Sequence, residues 1–156
     1  MAIKVISIGS TKDDFLRQSV QQFLTRLGKY AIVQWIELPD VKKKLFKTSI
    51  ELKKLEAQII LNEVKPNTFL VGLDENGKQT SSRGFAELVN QWTSSHADVA
   101  FVVGGAFGFD EQVYNRMNAK LSLSKMTLSH QMIRLLFVEQ LYRAYSILHG
   151  EPYHND

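Results

Sequence analysis

The stretch Val99-Ala100-Phe101-Val102-Val103-Gly104-Gly105-Ala106-Phe107-Gly108-Phe109 sets the architecture. Its first five residues are almost all β-branched or aromatic, the pattern of a strand buried on both faces. Three glycines in the next five positions break that strand with a turn, and Asp110 to Met117 then predicts a short helix. A buried strand feeding a helix is the repeating unit of a parallel sheet, because parallel strands need long crossovers and those crossovers cover the sheet.

The same alternation runs to both ends of the chain. Ile3 to Ile8 reads as a strand closed by Gly9-Ser10. Asp13 to Leu27 sets Phe15, Leu16, Val20, Phe23, Leu24 and Leu27 on one helical face, with Gly28 as the stop. Ile32 to Leu38 is a second strand, ended by Pro39-Asp40. Ile50 to Val64 repeats the helical spacing through Leu52, Leu55, Ile59, Ile60 and Val64, before Pro66. Thr68 to Leu73 is a third strand, followed by a predicted turn at Asp74-Glu75-Asn76-Gly77-Lys78. A helix over Ser82 to Trp92 precedes the quoted stretch. After it come a brief strand, Leu121 to Ser124, and a long helix from about Ser129 to Leu148. No repeat, low-complexity tract or linker interrupts the series. Residues 1–156 are therefore predicted to form a single α/β domain, a mainly parallel sheet with helices on both faces.

The last predicted helix is apolar nearly all round, through Met132, Ile133, Leu135, Leu136, Phe137, Val138, Leu141, Tyr142, Ala144, Tyr145, Ile147 and Leu148. Such a helix must be buried on more than one side. A second copy of the chain can supply the extra cover, which predicts a homodimer; a central helix sandwiched within one chain is the alternative.

Composition limits the functions available. A chain of 156 residues with 44% hydrophobic and 22% charged residues has the balance of a globular domain. No stretch approaches the roughly 18 apolar residues of a membrane span, and Met1 to Asp14 turns polar too soon for a secretory signal. The absence of cysteine excludes disulfides and thiolate metal sites and fits a reducing, cytoplasmic setting. The four histidines, His96, His130, His149 and His154, lack metal-ligand spacing, so no metal is expected. A formal charge of +3 is too small to announce nucleic acid. However, Lys42, Lys43, Lys44, Lys47, Lys53 and Lys54 fall within thirteen positions, a patch suited either to phosphates or simply to solvent.

Ligands of open α/β sheets bind where the carboxyl ends of strands meet their loops, here after Ile8, Leu73, Val103 and Ser124. A lone Gly9 after the first strand argues against a dinucleotide site, and no G-x-x-x-x-G-K-[ST] loop occurs. The loop Leu123 to Ser129 offers backbone amides and carbonyls for a purine edge, apolar walls from Leu123, Met126 and Leu128, and Ser129 as a helix cap. An ordinary capped loop has the same composition. His154, in the tail Gly150 to Asp156, is either a frayed end or a group able to meet a nucleobase or move a proton. Arg143 has Glu139 four residues before it, the spacing of an ion pair, and its guanidinium can alternatively reach a phosphate.

Taken together, these segments resemble the RlmH (YbeA-like) branch of the SPOUT methyltransferases. The likeness rests on Val99 to Phe109, on Leu121-Ser-Leu-Ser-Lys-Met-Thr-Leu-Ser-His-Gln-Met-Ile-Arg134, on Glu139-Gln-Leu-Tyr-Arg-Ala-Tyr145 and on Pro152-Tyr153-His154. The opening Ile3-Lys-Val-Ile-Ser-Ile-Gly9 and the Leu73-Asp-x-x-Gly-Lys78 turn extend it over the whole chain. The resemblance implies a SPOUT fold with a C-terminal trefoil knot, a rare exception to unthreaded topology, and a homodimer packed through the knotted region. It further implies methylation, by S-adenosyl-L-methionine, of N3 of a pseudouridine in the large-subunit (23S) rRNA of the assembled ribosome, with no metal and no membrane. Leu73, Gly105, Ser124, Lys125, Met126, Thr127, Leu128 and Ser129 match the family's cofactor-binding positions. Arg143, Tyr153 and His154 match the catalytic, substrate-facing positions, with His154 as a proton acceptor and Arg143 as a stabiliser of charge on the base. Asn155 stands where some relatives carry a basic residue, and Ala106-Phe107 where others have Pro-Glu or Ser-Asn. Action on another RNA such as a tRNA, or a non-catalytic role in ribosome assembly, are the rival expectations.

Overall fold

The alternation of strand and helix is realised in full in the computed structural model, which describes residues 2–156. Five strands, β1 (Ala2–Ile8), β2 (Ile32–Leu38), β3 (Phe69–Gln79), β4 (Asp98–Val103) and β5 (Ala119–Ser122), form one sheet in the order β2-β1-β4-β3-β5. Every pairing is parallel. The connecting helices are α1 (Asp14–Leu27), α2 (Ser49–Glu63), α3 (Ser82–Ser95), α4 (Glu111–Arg116) and α5 (Met132–Leu148).

Side chains alternate across the pleat, and each set finds its own helices. Ile3 and Val5 of β1 join Val71, Phe101, Phe85 and Phe137 in a core against α1, α3 and α5. Ile6 and Ile8 face the other way, packing with Ala100, Val102, Ile60 and Val113 against α2 and α4. Three helices therefore cover one face and two the other, as the both-faces-buried strands require. Four helices start on side-chain caps: Asp13, Thr48, Ser81 and Asp110 accept the amides of Leu16, Glu51, Gly84 and Gln112 at 3.0–3.1 Å.

The structure corrects the sequence expectation in three places. The predicted turn at Asp74 to Lys78 lies inside β3, which runs on to Gln79. Leu121 of β5 is opposite both Leu73 and Lys78, so the intervening residues bulge out of the ladder. The local turn chemistry is present, with the Asn76 amide donating to Asp74 Oδ1 at 2.8 Å, but pairing with β5 on either side absorbs it into the strand. Gly77 is needed there, because a Cβ would stand 2.8 Å from the Leu121 backbone. Second, the last strand ends at Ser122, which releases Leu123 and Ser124 into the following loop. Third, α5 begins at Met132 rather than Ser129. Ser129 still caps it: its hydroxyl accepts the Met132 amide at 3.1 Å and its carbonyl accepts the Ile133 amide at 3.0 Å.

The apolar character of α5 has its main cause within the chain. The helix lies between α1 and α3, burying Phe137, Val138, Leu141, Ala144 and Tyr145 on two flanks. That is the sandwiched arrangement. It leaves Met132 and Leu136 facing solvent, 42% and 38% exposed.

Candidate active site

The carboxyl ends of β3, β4 and β5 open into one cavity of about 550 Å³, within the size range of ligand sites. Three segments wall it: the β3 bulge, the glycine turn after β4, and the loop from Leu123 to His130.

The glycine turn folds back on itself, with the Gly108 amide donating to the Gly105 carbonyl at 3.1 Å. Gly108 takes φ +82°, the left-handed region that a side chain resists. Gly105 is required for a different reason. A Cβ there would stand 2.6 Å from Oε2 of Glu56, a residue of α2 that is only 6% exposed. The close approach at Gly105 is therefore to the protein's own carboxyl behind the turn, while the turn's other side lines the cavity. Burial first, and Asp40 second, push that carboxyl up to about 7.

The loop after β5 is shaped by its serines. Ser122 Oγ donates to the Ser124 carbonyl at 2.9 Å, and Ser124 Oγ accepts the Met126 amide at 3.0 Å. Thr127 Oγ1 donates to Glu75 Oε2 at 2.8 Å, tying the loop to the β3 bulge across the cavity mouth. Among the described residues, the amides of Lys125, Thr127 and Leu128 donate to nothing in the chain. Donors left free beside apolar walls from Leu73, Leu123 and Leu128 suit a planar, hydrogen-bonding ring. From the bulge, Asp74 accepts the hydroxyl of Tyr114, whose phenol is pushed up to about 12 by burial and by that carboxylate.

A buried arginine joins this loop to the end of β1. Arg134, 1% exposed, donates to the carbonyls of Ile8 and Gly9 at 2.7 and 2.8 Å, to Thr11 Oγ1 at 3.1 Å and to Glu37 at 3.2 Å. Its Nε also reaches the His130 carbonyl at 3.0 Å. A guanidinium bonded through all three of its nitrogens is a rigid staple. His130 lines the cavity beside it, and burial, then Arg134 and Lys12, hold its pKa below the usual value, favouring the neutral ring.

The tail is tied down rather than frayed. Arg143 bonds Glu139 Oε1 at 2.6 and 3.2 Å and reaches Nδ1 of His154 at 3.2 Å. Its guanidinium lies over the Tyr153 ring, 4.7 Å from the centroid, and the Tyr153 hydroxyl donates to Glu139 Oε1 at 3.0 Å. His154 Nε2 meets Asp156 Oδ1 at 3.1 Å, and Asp156 is clamped by Nε and Nη2 of Arg83 at 2.8 and 2.7 Å. Arg83 first, and His154 after it, draw that carboxyl down to about 2.

Of the sequence-derived residues, Leu73, Gly105, Ser124, Met126, Thr127, Leu128 and Ser129 all line the cavity. Lys125 does not; its side chain is exposed. Arg143, Tyr153 and His154 do come together, but away from the cavity. Ile133 lines it, and Arg143 lies ten residues further along α5, about 15 Å at 1.5 Å per residue. Sequence reasoning left Glu56, Asp74, Glu75, Tyr114 and His130 unassigned. Only His130, next to the capping Ser129, carried a local signal, because the others depend on the bulge and on helix packing.

The profile of the family described as "Predicted SPOUT methyltransferase" matches residues 1–154. The chain is 44% identical to the ribosomal RNA large subunit methyltransferase H of Christiangramia forsetii over 156 residues, 99% of each chain. Proteins of the same name from Bacillus cytotoxicus and Clostridium botulinum strain Kyoto are 43% and 41% identical over 158 residues, again 99% of each chain.

Proposed function

Because this chain belongs to the SPOUT methyltransferase family, we propose that it methylates large-subunit ribosomal RNA, at N3 of a pseudouridine, using S-adenosyl-L-methionine. The observation that carries the proposal is the cavity at the ends of β3, β4 and β5, in a chain alike along its whole length to proteins named for that RNA. The cofactor fits the residues present: leucine walls for the adenine, free amides at Lys125, Thr127 and Leu128 for its edge, and Tyr114 and Asp74 at the other side of the cavity. When bound, it supplies a methyl group already activated on a sulfonium, so the protein's task is mainly alignment and exclusion of water.

The substrate side belongs to Arg143, Tyr153 and His154. They lie too far from their own cavity to act on it, so we read the active unit as a homodimer. Met132 and Leu136 lead along the open face of α5 from the cavity towards Arg143. Two copies packed antiparallel on that stripe bring the tail of one chain over the cavity of the other, and such two-fold contact is self-complementary. Arg143, partly neutralised by Glu139, then stabilises negative charge on the base, and His154 can accept the N3 proton once Nδ1 is released from Arg143. In the same reading, the chain is expected to carry the family's C-terminal trefoil knot.

The test is methyl transfer from labelled S-adenosyl-L-methionine to intact large subunits, free 23S RNA and tRNA, with the product mapped by mass. Label at N3 of a pseudouridine in the ribosomal RNA is expected. Label confined to tRNA would move the substrate. Cofactor binding by calorimetry without transfer to any RNA would leave a binding protein, and no cofactor binding would sink the proposal.

A further inference from the structure

The segment Lys42 to Lys54 holds more positive charge than the chain nets. It carries six lysines and one acid, five net charges against a total of +3, so the rest of the protein has an excess of acids. The one acid is engaged: Glu51 Oε2 accepts the Lys47 amide at 2.8 Å while its own amide is capped by Thr48. Lys42, Lys43, Lys44, Lys47 and Lys54 are exposed, and none of the six lysines is in an ion pair among the described residues. Two large aliphatics stand among them uncovered, Leu45 and Ile50, 59% and 60% exposed.

Position gives this patch its meaning. The segment follows the carboxyl end of β2 and enters α2 from there, so it lies on the carboxyl-end side of the parallel sheet, as the cavity does, although β2 is the edge strand opposite β5. Lys53 is half-buried one turn before Glu56, the residue that backs the Gly105 wall. One helical turn is about 5.4 Å, so the lysines begin one turn from the carboxyl that packs behind the glycine turn, on its side away from the cavity.

We propose that Lys42–Lys54 is a docking surface for the phosphate backbone of RNA flanking the base presented to the cavity, with Leu45 and Ile50 covering sugar or base faces. This rests on the RNA-methylating function proposed above. A cationic face on a chain whose remaining residues carry a net charge of −2 orients a polyanion as well as holding it.

The experiment compares the full-length protein with a variant carrying Lys42→Gln, Lys43→Gln, Lys44→Gln and Lys47→Gln, and with its four-arginine counterpart. Affinity for large-subunit RNA is measured against KCl concentration, and S-adenosyl-L-methionine affinity by calorimetry. We expect the glutamine variant to lose at least about tenfold in RNA affinity at moderate salt. Its log–log salt slope should flatten by about 0.7–0.9 for each phosphate that is no longer neutralised. Cofactor affinity should not change, and the arginine variant should keep both affinity and slope. Equal RNA affinity and slope in the glutamine variant would overturn the inference, as would wild-type binding to phosphatidylserine vesicles but not to RNA. A flattened slope in a protein that neither binds the cofactor nor methylates would instead sustain this surface while refuting the proposed reaction.

Discussion

Arg143 donates a hydrogen bond to Nδ1 of His154, and that contact fixes the state of the imidazole. A guanidinium is a donor only, so Nδ1 must be the unprotonated nitrogen, which leaves the proton on Nε2 to donate to Asp156. With the proton on Nε2, the ring sits between a cation and a carboxylate with its one lone pair occupied. To take a proton from a substrate it must exchange Arg143 for the substrate nitrogen. Negative charge developing on the base as N3 loses its proton would attract the guanidinium and favour that exchange.

His154→Ala should therefore lower methyl transfer by about a hundredfold or more, the usual weight of a positioned base. S-adenosyl-L-methionine affinity should stay within about twofold of wild type. Single-turnover rates and calorimetry separate the two, and a parallel loss of both would contradict a substrate-side role.

Glu56 gives a pH dependence whose sign can be worked out. Its carboxyl, ordinarily near 4.5, is raised to about 7 in the folded chain. Between those values the folded protein keeps a proton that the unfolded chain has released, so stability falls as pH rises through the window. Glu56→Gln removes the penalty. It should stabilise the protein at pH 8 by up to about 3 kcal/mol and do little at pH 4.5, as read by urea unfolding at both pH values. A gain that is the same at both would rule out the carboxyl as its source.

Gly105→Ala should weaken cofactor binding by about tenfold, close to 1.4 kcal/mol, because the new methyl meets Glu56 and drives the turn towards the cavity. If crowding behind the turn is the cause, Glu56→Ala in the same chain should restore most of the affinity. A double variant as weak as Gly105→Ala alone would place the obstruction on the cavity side. The pair forms a double-mutant cycle between touching residues, where non-additivity is expected.

Leu136→Glu tests the two-chain site. An exposed leucine outside any interface tolerates a charge within about 0.5 kcal/mol. On a two-fold stripe the same change sets two carboxylates face to face. Sedimentation velocity should show monomers that still bind the cofactor and no longer methylate. A monomeric wild-type protein with full activity would exclude the composite site.

Much of the fold was legible because it depends on short-range pattern. The strand at Val99 to Val103 was recognisable from a run of residues that only a doubly covered strand can bury. The 3.6-residue spacing from Leu16 to Leu27 gave α1 within a residue of its observed start, although Phe15, read onto the same face, points to solvent at 73% exposure. Ser129 was identifiable as a cap although the helix proper starts later, since a serine hydroxyl at a helix start reaches the amide three residues on. The cavity loop could be located by the rule that strand ends host ligands. Its actual shape, with Lys125 turned out and Thr127 bonded to Glu75, could not.

What escaped the sequence shares one cause: each feature is made by residues far apart in the chain. Asp74 to Lys78 has the composition of a turn, and only β5, pairing on both sides of it, makes it a bulge. Glu56 looks like an ordinary helix-surface acid until α2 is laid against the Gly105 turn. The tail looks disposable until Arg83 and Arg143, on two different helices, hold it. Local periodicity follows from backbone geometry and so can be read from neighbours. Burial of a charge and the course of a bulge arise only when the sheet order β2-β1-β4-β3-β5 sets distant segments side by side.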